Sequence, residues 1–130
     1  MDTTKNRTWL VFANREKCRH ADSIRETNFI NWVMKVKFSV GDIVYIFMSD
    51  ERKVRFQMEV VEINCKREDQ RYWVTDAPDD NTCKLKAIKE YYGDKLNERE
   101  LEKHGFQGGR SIETPMYKNE VLFNYIRSIL

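Results

Sequence analysis

The sequence predicts a small α+β fold: a curved β-barrel of five to six strands flanked by short α-helices. Three observations carry this. Short runs rich in β-branched and aromatic residues recur between turn-forming stretches, as strands do. One of those runs changes its apolar face midway, which a β-bulge explains, and bulges curve sheets toward barrels. Two C-terminal segments carry helix signals instead: an N-cap with a glycine stop, and an apolar stripe at helical spacing. A chain of 130 residues suits one domain.

The elements follow in order. TWLVFA, residues 8 to 13, reads as a buried strand, and NREKCRHAD as a polar connection. Ser23 and Glu26 have capping-box spacing, so a short helix is expected from about residue 23 to 29. The segment NWVMKVKFSV leads to a turn at Gly41-Asp42. IVYIFM, residues 43 to 48, is apolar throughout and too short for a helix, which marks a central strand covered on both faces. SDERK makes a hairpin loop.

In VRFQMEVVEI, residues 54 to 63, Val54, Phe56, Met58 and Val60 share one face, after which Val61 and Ile63 take over. A bulge near Val60-Val61 accounts for the switch. RYWV, residues 71 to 74, and KLKAIKEYY, residues 84 to 92, read as further strands separated by the loop DAPDDNT. LNERELEKHG is the clearest helix: Asn97 is the N-cap, Glu100 sits at N3, Leu96 and Leu101 form a hydrophobic staple, and Gly105 is the C′ residue. FQGGRS is a loop. In the last segment Val121, Leu122, Tyr125, Ile126, Ile129 and Leu130 form one helical stripe. It stops without a glycine, an asparagine or a basic last turn. That predicts a domain cut from a longer protein, or a helix end that docks elsewhere.

The chain is 41% hydrophobic and 34% charged, with a net charge of +2. This balance suits a folded core under a charged surface, and it is less basic than a dedicated electrostatic DNA binder. The charge is uneven: Lys5, Arg7, Arg15, Lys17 and Arg19 stand near the N-terminus against Asp2 and Glu16. No apolar run is long enough to span a bilayer and no signal-peptide core opens the chain, so a cytoplasmic protein is expected. Cys18, Cys65 and Cys83 are scattered and odd in number, which argues against a disulfide framework. Cys18 and His20 make half a metal site, and His104 lies in another element, so no metal and no cofactor are expected. Phosphate-loop, dinucleotide and nucleophile-elbow patterns are absent, and FQGGRS lacks both the lysine and the preceding strand. The reading is a binding module rather than an enzyme.

VGDIVYIFMSDERKVRFQMEVVEI resembles the central hairpin of the EVE domain, a PUA-like barrel related to the YTH readers of methylated RNA. WLVFANREK is similar to that family's opening strand, INWVM to its tryptophan after the first helix, and ELEKHGFQGGRS with the final helix to its C-terminal region. The resemblance spans about residues 8 to 127 and lies in the order and spacing of these pieces. Gly109 stands where the family often has proline, and Phe47 where tyrosine is common.

The resemblance implies a PUA-like fold and a reader of modified bases in DNA: methylated or hydroxymethylated cytosine, or N6-methyladenine. It also implies a parent protein of the McrB type, with an AAA+ or nuclease domain, in modification-dependent restriction. Two alternatives stand: a reader of modified RNA, or a protein-interaction module with no ligand. Enclosing a base requires flipping it out at a cost of a few kcal/mol. Aromatic stacking, about 1–3 kcal/mol per base, offsets that cost.

In the implied modified-base pocket Trp32 is the first wall, or else a core tryptophan of a small barrel; Trp73 is a second candidate wall, although it, like Trp9, reads more readily as core. Tyr45 and Phe47 share one strand face and either line the pocket or fill the barrel. Asn14 reads a base edge or simply forms a turn, and Ser49 is a weaker version of the same idea. Gln107, Gly108 and Gly109 offer backbone N–H groups to the nucleotide or its phosphate. Arg15, Lys17, Arg19 and Arg110 are candidate phosphate contacts, which would position DNA without specifying sequence, and each also reads as plain solvated surface.

Overall fold

The computed structural model describes residues 7–106, 114–115 and 120–130. One sheet contains β1 (Thr8–Ala13), β2 (Phe29–Val33), β3 (Ile43–Met48), β4 (Lys53–Cys65), β5 (Thr82–Glu90) and a two-residue β6 (Thr114–Pro115). The strand order is β2-β5-β4-β3-β1-β6. β1 and β3 run parallel, and the other pairs are antiparallel. A parallel pair needs a crossover. Here it holds α1 (His20–Thr27) and β2, which is carried to the far edge of the sheet. α2 (Glu98–Glu102) and α3 (Glu120–Ile129) complete the elements. No helix among the described residues is long and apolar enough to cross a membrane.

The sheet curls into an open half-barrel, with β2 and β6 as its edges. Its inner core draws on all five longer strands and on Ile24 of α1. The outer face of β1 and β3 forms a second core with α2 and α3, through Leu101, Leu122 and Ile126. Alternation divides β3 between the two: Val44, Ile46 and Met48 point into the first, Tyr45 and Phe47 into the second. This explains why IVYIFM carries no polar residue.

Register shifts in β4 supply the curvature. One lies between Val60 and Glu62 against β5, where the apolar phase was expected to change. Val54, Phe56, Met58 and Val60 are all buried but do not share a face: Phe56, Met58 and Val60 enter the first core and Val54 the second, across the register shift opposite Ile46 and Phe47. Ile63 then packs partly against the first core, but Val61 does not follow it and is 39% exposed.

The helices hold both agreements and corrections. At α2, Asn97 Oδ1 accepts from the Glu100 N–H at 2.9 Å. Gly105 has φ 96°, its N–H bonds the Glu102 carbonyl, and the Phe106 N–H bonds that of Leu101. This is a Schellman ending, which the positive φ reserves for glycine. α1 differs from expectation. It begins at His20, and Ser23 is a buried residue inside it whose Oγ donates to the Phe29 carbonyl at 2.8 Å. The hydroxyl serves the chain's exit from the helix rather than its entry. Asn28, at φ 69°, ends α1 with its N–H on the Ile24 carbonyl. On α3, Leu122 and Ile126 are buried, as is Leu130 just beyond it, whereas Val121 is 64% exposed.

RYWV is not a strand. Gln70–Tyr72 form a 3₁₀ turn, and Trp73 makes an isolated bridge to Cys18. The turn is closed by the Tyr72 N–H on the Asp69 carbonyl and the Trp73 N–H on the Gln70 carbonyl, 3.0 Å each. Among the described residues, pairing of RYWV with the β1–α1 connection is limited to the Arg19 N–H on the Tyr72 carbonyl and the Val74 N–H on the Lys17 carbonyl. β5 runs two residues ahead of its expected span, so Tyr91 and Tyr92 lie beyond it.

Candidate functional site

The end of β1, the start of α1, the middle of β2 and the loop over residues 67 to 80 enclose a cleft of about 280 Å³. Asn14, Lys17, Trp32 and Trp73 all line it. So do His20, Asn31, Lys35 and Arg67, which sequence reasoning did not assign to a site.

Trp32 has two roles. It is 8% exposed and belongs to the inner core, yet it borders the cleft. His20 lies against it, with ring centroids 5.3 Å apart and planes at 43°. Its indole Nε1 is shielded from solvent and has no hydrogen-bond partner among the described residues. Trp73 is half-buried and more open. Its Nε1 donates to Asp69 Oδ1 at 3.2 Å, and the Arg67 guanidinium lies 4.7 Å from the ring centroid. Trp9 is core: its Nε1 donates to the buried Asp42 Oδ2 at 2.9 Å, and Phe38 packs edge-on at 5.1 Å.

A buried ion network builds the wall that carries Trp73. The Asp69 side chain is fully buried and accepts from Arg67 Nη1 at 3.0 Å and the Asn31 N–H at 3.1 Å. Arg67 also grips Asp80 with two bonds, Nε to Oδ1 at 3.2 Å and Nη2 to Oδ2 at 3.1 Å. Asn31 Oδ1 accepts from the Glu68 N–H at 2.9 Å. Burial opposes the Arg67 charge, but the bonds to Asp80 and Asp69 outweigh it and raise its pKa.

Burial keeps two nearby groups, His20 and Cys18, neutral. His20, 6% exposed, is pushed down to about 4, chiefly by desolvation and further by Arg67, against an opposing pull from Asp69. Cys18 is pushed up to about 12 by burial and by Asp69, so its thiol stays protonated. Among the described residues no three His, Cys, Asp or Glu side chains group as metal ligands.

Asn14 forms the turn after β1: Oδ1 accepts from the Glu16 N–H at 2.9 Å, and its carbonyl takes the N–H groups of Lys17 and Cys18 at 3.1 Å each. Its amide nitrogen remains unpartnered among the described residues, so turn formation and cleft lining coexist. Tyr45 and Phe47 do not line the cleft. They fill the outer core, where Phe47 packs on Phe12 at 5.0 Å and Phe106 at 5.3 Å. Ser49 also stands apart from the cleft, its N–H on the Ala13 carbonyl at 3.0 Å.

The expected basic surface divides. Lys17 is exposed at the cleft. Arg15 pairs with Asp50 at 3.4 Å and Arg19 with Asp22 at 3.6 Å, around a separate hollow of about 40 Å³ that His20 also borders. Gln107, Gly108, Gly109 and Arg110 lie outside the described residues.

No protein-family model matches this chain, and no curated protein does. A solved structure does: that of a hypothetical protein from Leishmania major. The two align with a TM-score of 0.63 over 95% of this chain and 94% of the other, at 18% identity. The likeness is one of fold along nearly the whole chain.

Proposed function

We propose that the chain is a non-catalytic reader of modified bases in DNA, a PUA-like domain of the EVE kind, and that one extruded base occupies the cleft. The observation that carries this is the convergence of Trp32, Trp73, Asn14 and Lys17, from three separate segments, on one hollow. At about 280 Å³ it is slightly smaller than the roughly 300–1,000 Å³ usual for drug-sized ligands, a size suited to a single flat heterocycle.

In this reading Trp73 supplies the stacking face. Arg67 covers part of the indole and Asp69 fixes its orientation, so little freedom is lost when a base stacks there. Trp32 closes the floor, and the Asn14 amide reaches a base edge. Lys17 and Lys35 meet backbone phosphates. A parent AAA+ or nuclease domain would act on what this domain finds.

The test is a binding panel of short duplexes carrying 5-methylcytosine, 5-hydroxymethylcytosine, N6-methyladenine or no modification, with matched RNA. The expected result is selective, saturable binding to at least one modified DNA duplex. Equal affinity for modified and unmodified DNA, or a preference for the RNA, would count against the proposal.

A further inference from the structure

We propose that Lys17, Arg19 and Arg71 form one basic lip beside the cleft, and that the backbone of the strand carrying the extruded base runs along it. This rests on the reading of the cleft as a base pocket. It adds a contact residue that sequence reasoning missed, Arg71, and it assigns the phosphates on the lip to the modified strand itself.

The fold brings the three cations together. The Arg19 N–H bonds the Tyr72 carbonyl at 2.8 Å and the Val74 N–H bonds the Lys17 carbonyl at 2.9 Å, on either side of the bridge between Cys18 and Trp73. Residues 17–19 therefore lie alongside 72–74, next to the stacking wall. Arg19 also borders the smaller hollow, but its Nη2 donates to the Arg71 carbonyl at 3.3 Å. The Arg71 guanidinium donates to the Tyr72 hydroxyl. The guanidinium carbons of Arg19 and Arg71 stand 5.9 and 4.8 Å from the centroid of the same Tyr72 ring. Tyr72 is buried, so that ring is a fixed mount for both.

These charges are short of carboxylate partners. Arg15, Arg25, Arg52, Arg55 and Arg67 each pair with one. Lys17 and Arg71 are exposed and form no ion pair among the described residues. Arg19 meets Asp22 at 3.6 Å, with both side chains open to solvent, and Glu26 acts on Arg71 without bonding it. Like charges gathered on one edge repel, and an anion laid along them relieves that repulsion. A guanidinium already oriented by Tyr72 loses little freedom when it meets a phosphate. A base seated against Trp73 stays tied to its own sugar, so its flanking phosphates lie at the cleft mouth, where Lys17 stands. The lip therefore holds the modified strand, and the complementary strand needs no contact there.

The experiment measures affinity over a salt series for oligonucleotides carrying 5-methylcytosine, N6-methyladenine or no modification, each as single strand and as duplex. It uses the wild type, Arg71→Gln, Arg71→Lys and a control on α2, the exposed Arg99→Gln. Glutamine keeps a donor for the Tyr72 hydroxyl and removes the charge. Arg71→Gln should weaken modified and unmodified DNA by the same factor, in both single strand and duplex. Its slope of log affinity against log salt should be shallower by about 0.7–0.9. Over a fourfold rise in salt, its affinity then falls about threefold less than that of the wild type. Arg71→Lys should keep the wild-type slope, and Arg99→Gln should change nothing.

Wild-type affinity and slope in a folded Arg71→Gln overturn the inference and leave the base-reading proposal standing. An effect confined to modified DNA also overturns it, and makes Arg71 part of the pocket wall. An effect on duplexes alone moves Arg71 to the complementary strand, and an equal effect of Arg99→Gln reduces the lip to net charge; either result refutes the claim. Arg19→Gln carries the same expectation and decides the matter if Arg71→Gln does not fold. A wild type that prefers no modified oligonucleotide instead defeats the base-reading proposal itself, and this inference with it.

Discussion

Replacing Arg67 by methionine removes the cation at the centre of the cleft wall while keeping most of its apolar stem. Three consequences follow from the geometry. Asp69, fully buried, loses its 3.0 Å ion pair but keeps the Asn31 and Trp73 N–H groups. Asp80 loses two bonds, but it is partly exposed and water replaces them at little cost. The cation over the Trp73 ring disappears. Breaking a buried pair by removing one partner costs about 3–5 kcal/mol. The two remaining donors place this case near the lower end, at about 3 kcal/mol. Urea unfolding should show a lower midpoint with an unchanged slope. The double variant Arg67→Met, Asp69→Asn should recover much of the loss, because the stranded charge is gone. A loss below about 1 kcal/mol in the single variant, the range of an exposed pair, would refute the claim that this network is buried and holds the wall.

Other expectations concern pH and DNA. The folded His20 pKa of about 4 lies below its ordinary 6.5, so between those values the unfolded chain binds more protons. The stability from burying it neutral is complete above about pH 6.5, falls as pH drops toward 4, and amounts to about 3 kcal/mol across that window. Denaturation midpoints measured at several pH values should show this slope, and His20→Phe should flatten it; an equal slope in both proteins would contradict the assignment. Lys17→Ala should weaken modified and unmodified DNA alike and make the salt dependence shallower by about one unit. Loss confined to modified DNA would remove Lys17 from the phosphate contacts.

The strands β1 and β3 and helix α2 were legible in the sequence because their signals are local: apolar runs between turns, and an asparagine cap with a glycine stop. The cleft wall was not. KREDQ reads as solvated charge, and only the long-range bonds from Arg67 and Asp69 to Asn31 and Asp80 bury it. RYWV, a plausible strand by composition, is instead drawn into a 3₁₀ turn closed by the Tyr72 N–H on the Asp69 carbonyl. Trp32, Trp73, Asn14 and Lys17 could each be named as candidates from residue type, but their convergence depends on that loop. Tyr45 and Phe47 show the limit of alternation: it puts both on one face without saying that α2 and α3 cover it. His20 was noticed only for its spacing from Cys18, and its value to the site lies in burial, which spacing does not reveal.

The most direct measurement compares wild type with Trp73→Ala for binding to duplexes with and without a modified base. Trp73 is half-buried, so its truncation disturbs the core less than that of Trp32. The account predicts that the wild type discriminates and that the variant loses about 1–3 kcal/mol, roughly 5- to 150-fold, on modified DNA while still melting cooperatively. Undiminished affinity in the variant, or no discrimination by the wild type, would contradict it.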